Sequence, residues 1–280
     1  MSQKEIARAH FRNVLTKLEV SRRVSFKIYV QEPQVNSLGG INFYSPIEGK
    51  VVDQSDGFTT IKVSMSEYTV VQTDLLSQPV EVESKVALSF YKLHRFDGSA
   101  ADGSEDAAIG GCRTISLTGA KTYFPVKWEG RYVGINEKFE DTYQVIQNPY
   151  LRTLIQQMED MPMADGLRSP VNVLTDANPK DLTFIDPTEE DSALVAPGLR
   201  VHVATKKFEG DVTVEYDRGS DTYRVILEAD QDDERTVVDN VHFNEVGQCL
   251  LECIDDGQWQ QAKVTLIKAA PKKRKVAVAA

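Results

Sequence analysis

Apolar and polar positions along this chain alternate with two different periods. Between Lys4 and Leu18 the apolar residues Ile6, Phe11, Val14, Leu15 and Leu18 recur near helical spacing. Lys4, Arg8, Arg12 and Lys17 lie among them, so the pattern predicts a short amphipathic helix with a basic side. After Arg22-Arg23 the period becomes two. Val24, Phe26, Ile28 and Val30 alternate with Ser25, Lys27 and Tyr29, as in a half-buried strand.

Further strands are predicted at 41–53, 57–65, 67–72 and 85–96, with Asp56-Gly57 as a hairpin turn. The stretch Asp97 to Gly111 is small, polar and Gly-rich, which marks a flexible loop and the first domain boundary. Two more strands follow near Thr114–Leu117 and Tyr123–Trp128, with a turn at Glu129-Gly130. The clearest helix comes next: Asn148 suits its cap and Pro149 its first position. Leu151, Leu154, Ile155 and Met158 supply its apolar stripe.

Residues 161–197 are irregular, with short strand candidates at Val171–Leu174 and Leu182–Ile185. The rest reads as a run of hairpins at 199–205, 211–216, 222–229, 235–243, 247–254 and 259–268. Turn chemistry at Asp217–Asp221 and Asp255-Asp256-Gly257 separates them.

The expected fold class is therefore mainly β, α+β overall: two small antiparallel barrel- or sandwich-like units with one N-terminal and one central helix. The boundaries that follow are a basic helix and barrel-like domain over 1–97, a loop over 98–111 and a central α+β segment over 112–180. An acidic antiparallel domain over 181–268 and a disordered basic tail over 269–280 complete the chain.

Charge sharpens this division. Residues 1–180 carry 20 Lys+Arg against 22 Asp+Glu, residues 181–256 carry 6 against 20, and residues 257–280 carry 6 bases and no acid. Such sorting governs association rather than fold. No apolar run approaches a membrane span, and the N-terminus lacks the apolar core of a secretory signal. Three cysteines, Cys112, Cys249 and Cys253, form too sparse a set for a disulfide framework. A cytoplasmic protein is expected, with no membrane partner.

Enzymatic motifs are thin. Asp74 followed by Glu83-Ser84-Lys85 has the skeleton of a Mg²⁺-dependent nuclease, but Glu-x-Lys triplets are common on charged strands. His242, Cys249 and Cys253 offer three metal ligands without a fourth at matching spacing, and Leu250, Leu251 and Ile254 around the cysteines favour core packing. No cofactor, no metal and no catalytic residue is expected.

Binding chemistry has more behind it. Residues 1–30 carry seven bases and two acids. On the first predicted strand Arg23, Lys27 and Tyr29 share the solvent-facing side, with Arg22 beside them. Cations and aromatics on one strand face of a small barrel suit single-stranded or non-specific nucleic acid, with Tyr44, Tyr68 and Tyr91 as further stacking platforms. Lys272, Lys273, Arg274 and Lys275 of the tail would add sequence-independent attraction. The acidic block supports the opposite reading. There Asp217, Asp221, Asp232, Asp233 and Glu234 would imitate phosphates and occupy a basic nucleic-acid-processing protein, such as a host defence or restriction enzyme. The same carboxylates also serve solubility.

Two local resemblances bear on setting. Pro271–Val276 resembles a monopartite nuclear import signal, matching that of the simian virus large T antigen over six residues. It implies a nuclear location if it is read as such. Gly49-Lys50-Val51-Val52 and Val86–Tyr91 resemble the barrel-like modules of plasmid accessory proteins of the KfrB type. Gln72-Thr73-Asp74-Leu75 stands where those modules carry a His-Asp pair. This resemblance implies a plasmid accessory protein, and the function expected overall is non-enzymatic binding in a plasmid or phage accessory role.

Overall fold

The computed structural model describes residues 2–32, 44–101, 123–128, 131–132, 144–231 and 235–271. The chain forms two units, one from Met1–Tyr91 with Gly257–Ala280 and the other from Lys92–Asp256.

In the first unit, helix α1 (Gln3–Lys17) starts at a capping box. The Ser2 side chain accepts from the Glu5 amide at 3.2 Å, and the Glu5 carboxylate accepts from the Ser2 amide at 2.9 Å. Strands β1 (Ser25–Tyr29), β2 (Ile47–Ser55), β3 (Phe58–Lys62), β4 (Glu67–Gln72) and β5 (Lys85–Ser89) follow. The predicted Asp56-Gly57 turn joins β2 to β3, with φ of 52° and 78°, as a twist-matched hairpin turn requires.

The strand Lys263–Lys268 (β14, last in the chain) is expected from the sequence to close the acidic run. It is hydrogen-bonded to β5 instead, completing a six-stranded sheet in the order β1-β4-β3-β2-β5-β14. Only β1–β4 is parallel. The sheet is open, because β1 and β14 are not paired with each other. Both faces of its middle strands are covered. Phe58, Tyr68 and Val70 face α1 with Ala7 and Phe11, whereas Tyr29, Ile61 and Val71 face Val86, Leu88 and Ala262. The helix stripe differs from its sequence reading. Ala7, His10, Phe11 and Val14 are buried, while Ile6 and Leu18 stay exposed. His10 takes a core position, with its Nε2 3.2 Å from the Thr60 hydroxyl and its Nδ1 3.6 Å from Asp56.

In the second unit, short strands β6 (Val126–Trp128), β7 (Arg131–Tyr132) and β8 (Gln144–Val145) form a small sheet. Helix α2 (Pro149–Asp160) has the predicted Asn148 cap, whose carbonyl oxygen accepts from Tyr150 at 2.9 Å and Leu151 at 3.2 Å. After α3 (Pro170–Asp176) come β9 (Lys180–Ile185), β10 (Gly198–Ala204), β11 (Glu209–Asp217), β12 (Thr222–Ala229) and β13 (Arg235–Val241), then α4 (Val246–Ile254). The five strands form an antiparallel meander. The three helices bury Leu154, Leu174 and Leu250 against Val201, Val214 and Val225 on one face, a two-layer α+β arrangement.

Two predicted strands are helices here. Pro170–Thr175 is buried at every position, polar Asn172 and Thr175 included, and the helix is too short for its period to stand out in the sequence. In α4, Val246, Leu250 and Ile254 recur at every fourth residue and point inward, a spacing that a helix and a strand share, and the buried Gly247 beside Val246 is what a helix face adds. The predicted strand Thr114–Leu117 and the turn Glu129-Gly130 lie outside the described residues. Among the described residues no helix is long and apolar enough to cross a membrane.

Candidate nucleic-acid interface

Part of the basic set near the N-terminus lies on two elements that pack together at one margin of the first unit, because β1 is an edge strand and α1 packs over it. Arg22 and Arg23 lead into β1 and are exposed, as is Lys27 on the strand itself. Lys27 lies 3.7 Å from Glu67 on β4. Neither Arg22 nor Arg23 forms an ion pair with another described residue.

Tyr29 is not on the solvent-facing side. It is 5% exposed, its hydroxyl donates to the Gln260 carbonyl at 2.7 Å, and its ring packs on Tyr44 and Phe90 at 5.1 and 4.7 Å. Burial pushes its phenol up to about 12. The aromatic that the edge does expose is Phe26, 39% exposed, on the α1 side of the strand. The even alternation predicted from the sequence fails because β1 is covered on both faces near Tyr29 and open near Ser25.

Helix α1 contributes to the same margin. Phe26 packs on Phe11 at 4.4 Å, and Arg8 and Arg12 project from the flank of the helix beside Phe11. Both are exposed and neither forms an ion pair with another described residue. The four-residue spacing of Arg8 and Arg12 was the sequence signal for their shared face. Nothing in the pattern placed Phe26 outside.

The opposite flank of α1 is neutralised. Lys17 Nζ lies 2.7 Å from Asp53, which also accepts from the Ser55 hydroxyl at 2.6 Å. Asp53 sits at a buried position on β2, and His10 lies 3.6 Å from Asp56. Burial works to raise the Asp53 carboxyl, but the hydrogen bonds from Lys17 and Ser55 outweigh it and hold Asp53 below the ordinary range. This buried polar group was not legible in the sequence, since Asp53 is distant in the chain from His10 and Lys17.

The acidic residues follow a different rule. On the outer face of the five-stranded sheet, Arg200 bridges Asp211 and, at 3.3 Å, Glu228. His202 lies 3.2 Å from Asp211 and 3.6 Å from Asp230. Arg224 lies 2.6 Å from Asp239, 3.6 Å from Asp217 and 3.8 Å from Glu215, and Arg235 lies 3.7 Å from Glu228. Of the predicted acidic surface, Asp217 also accepts from the Gly219 amide at 2.8 Å, which holds its carboxyl below the ordinary range. Asp221 accepts from the Tyr216 hydroxyl at 2.5 Å. Asp232, Asp233 and Glu234 lie outside the described residues, as do Lys272, Lys273, Arg274 and Lys275 of the tail.

The remaining candidates are spoken for locally. Glu83 pairs with Lys50 at 2.6 Å and Lys85 with Glu48 at 2.7 Å, while Asp74 lies in a short 3₁₀ turn. Cys249 and Cys253 pack half-buried against the second core, and burial raises the Cys249 thiol. His242 is exposed. Among the described residues no group of three or more His, Cys, Asp or Glu side chains is placed to hold a metal ion. Tyr68 is buried, and Tyr44 and Tyr91 are half-buried against Tyr29 and Trp259, which leaves little ring face for stacking.

No family model, no curated protein and no solved structure matches the chain.

Proposed function

We propose that the protein is a non-enzymatic binding protein that engages single-stranded or non-specific nucleic acid along the α1–β1 edge of its first unit. The observation that carries this reading is the set Arg8, Arg12, Arg22 and Arg23, all exposed and without a carboxylate partner among the described residues, on the helix and on the approach to the edge strand that also exposes Phe26. Unpaired guanidinium groups gain free energy by displacing counterions from phosphates, whereas a cation already bridged to a carboxylate gains little. An exposed ring among them offers a base a stacking partner, which tolerates any sequence. The basic residues Lys272–Lys275 add attraction in the same sense. The setting we propose is intracellular, in a plasmid or phage accessory role, with nuclear import as the reading of Pro271–Val276 in a eukaryotic cell.

The acidic-mimic reading has less support. A phosphate mimic needs carboxylates whose charge reaches outward, and Asp211, Glu215, Asp217, Glu228 and Asp239 each share an arginine. A labelled oligothymidine and fluorescence anisotropy test the preferred reading. Binding that drops about tenfold or more in the Arg22→Ala/Arg23→Ala variant supports it, at two lost phosphate contacts. Binding unchanged in that variant, or absent in the parent protein, overturns it.

A further inference from the structure

We propose that the second unit carries a binding cleft for an alkylammonium group, walled by the rings of Tyr150, Tyr216, Tyr223 and Phe243 and closed on one side by the Asp221 carboxylate. The cleft encloses about 220 Å³ where α2, the β11–β12 hairpin and the segment after β13 meet. That is below the roughly 300–1,000 Å³ of sites for drug-sized ligands, so the occupant is a headgroup or one side chain.

The rings are held in place. Tyr150 and Tyr216 stack with centroids 5.3 Å apart at 21°, and Tyr216 meets Tyr223 at 5.5 Å. The Tyr216 hydroxyl is committed to Asp221 at 2.5 Å, and the Tyr223 hydroxyl donates to Gln157 Oε1. The hydrogen bond to Asp221, with burial, pushes the Tyr216 phenol to about 12. Preorganised walls of this kind lose little entropy on binding.

Charge selects the ligand's sign. Aromatic faces attract cations, and quaternary ammonium is bound in aromatic cages for that reason. Tyr150 is itself committed, stacked on Tyr216 and covered by the Arg218 guanidinium 4.6 Å from its centroid. That guanidinium is tethered to the Glu189 carbonyl at 3.0 Å and the Ser192 hydroxyl at 2.9 Å. Tyr150 therefore buttresses the cleft, and the ring faces left for a ligand are those of Tyr216 and Phe243. Residues 181–256 carry 6 bases against 20 acids, so a phosphate or carboxylate ligand would be repelled. Phe243, about half exposed, leaves a ring face for an entering methyl group to cover.

The test is a titration of the full chain, followed by aromatic NMR and calorimetry, with choline, a trimethyllysine peptide and the neutral isostere 3,3-dimethylbutan-1-ol. Both ammonium probes should shift the Tyr150, Tyr216 and Tyr223 resonances, and the isostere should bind about tenfold more weakly. Asp221→Asn and Phe243→Ala should each weaken binding about two- to thirtyfold, and Asp221→Asn, at an exposed position and keeping an acceptor for Tyr216, should do so without lowering Tm. Tighter binding of the peptide points to a protein partner, and tighter binding of choline to a free metabolite. No shift with either ammonium probe, or an isostere that binds as tightly as choline, overturns the proposal.

Discussion

The rings of Phe26 and Phe11 lie 4.4 Å apart at 34°, joining the edge strand β1 to the flank of α1 that bears Arg8 and Arg12. This contact makes one surface of two chain segments and leaves a face of Phe26 open to solvent. Replacing Phe26 with Ala should weaken oligonucleotide binding about tenfold, within the roughly 1–3 kcal/mol that one stacked base contributes. Phe26→Trp should restore it. Anisotropy titrations of both variants, alongside their melting curves, separate lost stacking from lost folding.

Asp53 ties α1 to β2 through Lys17, and its carboxyl lies below the ordinary range. A depressed carboxyl contributes stability that is present above its unfolded pKa of 3.8 and is lost as pH falls through the lower folded value. Lys17→Met removes the strongest hydrogen bond opposing the effect of burial, so the Asp53 titration should move upward and acid unfolding of the first unit should begin at a higher pH. A carboxyl-carbon NMR titration of Asp53 in both proteins, with Tm followed against pH, checks the direction.

In the second unit the guanidinium of Arg168 is buried among three carboxylates, at 2.8 Å from Asp165, 3.3 Å from Asp176 and 2.6 Å from Asp255. Burial alone would lower its pKa, but the hydrogen bonds to Asp255 and Asp165 raise it, so it stays charged. Asp176 ends α3 and Asp255 follows α4, so the arginine fastens both helices to the segment before α3. Arg168→Met would leave carboxylates without their cation and should destabilise the unit by about 3–5 kcal/mol. Denaturant unfolding measures this, and Asp255→Asn, which keeps a hydrogen-bond acceptor, should cost less.

Elements with a local signal were legible in the sequence. Helix α2 shows its cap and stripe openly, and β4, β10 and β12 fall where strands are predicted between turn residues. Helix α3 is short and buries even its polar Asn172 and Thr175, and α4 is a short apolar run whose period is easily read either way. The pairing of β14 with β5 is not local, so no window of sequence reports it. The same limit applies to sites. Arg22 and Arg23 could be picked out by type, but Phe26 and Tyr29 exchanged roles because burial of β1 depends on what covers each end. The aromatic cleft draws on α2, β11, β12 and the segment after β13, and only folding brings these together.

The central claim is that unpaired arginines on the α1–β1 edge neutralise phosphates. It is tested most directly by the salt dependence of oligothymidine binding, measured for the full chain and for Arg8→Ala/Arg12→Ala/Arg22→Ala/Arg23→Ala. Each phosphate contact on a single strand contributes about −0.7 to the slope of log K against log salt, so the variant should lose about 3 units of slope. A variant that binds with the parent's affinity and slope would contradict the account.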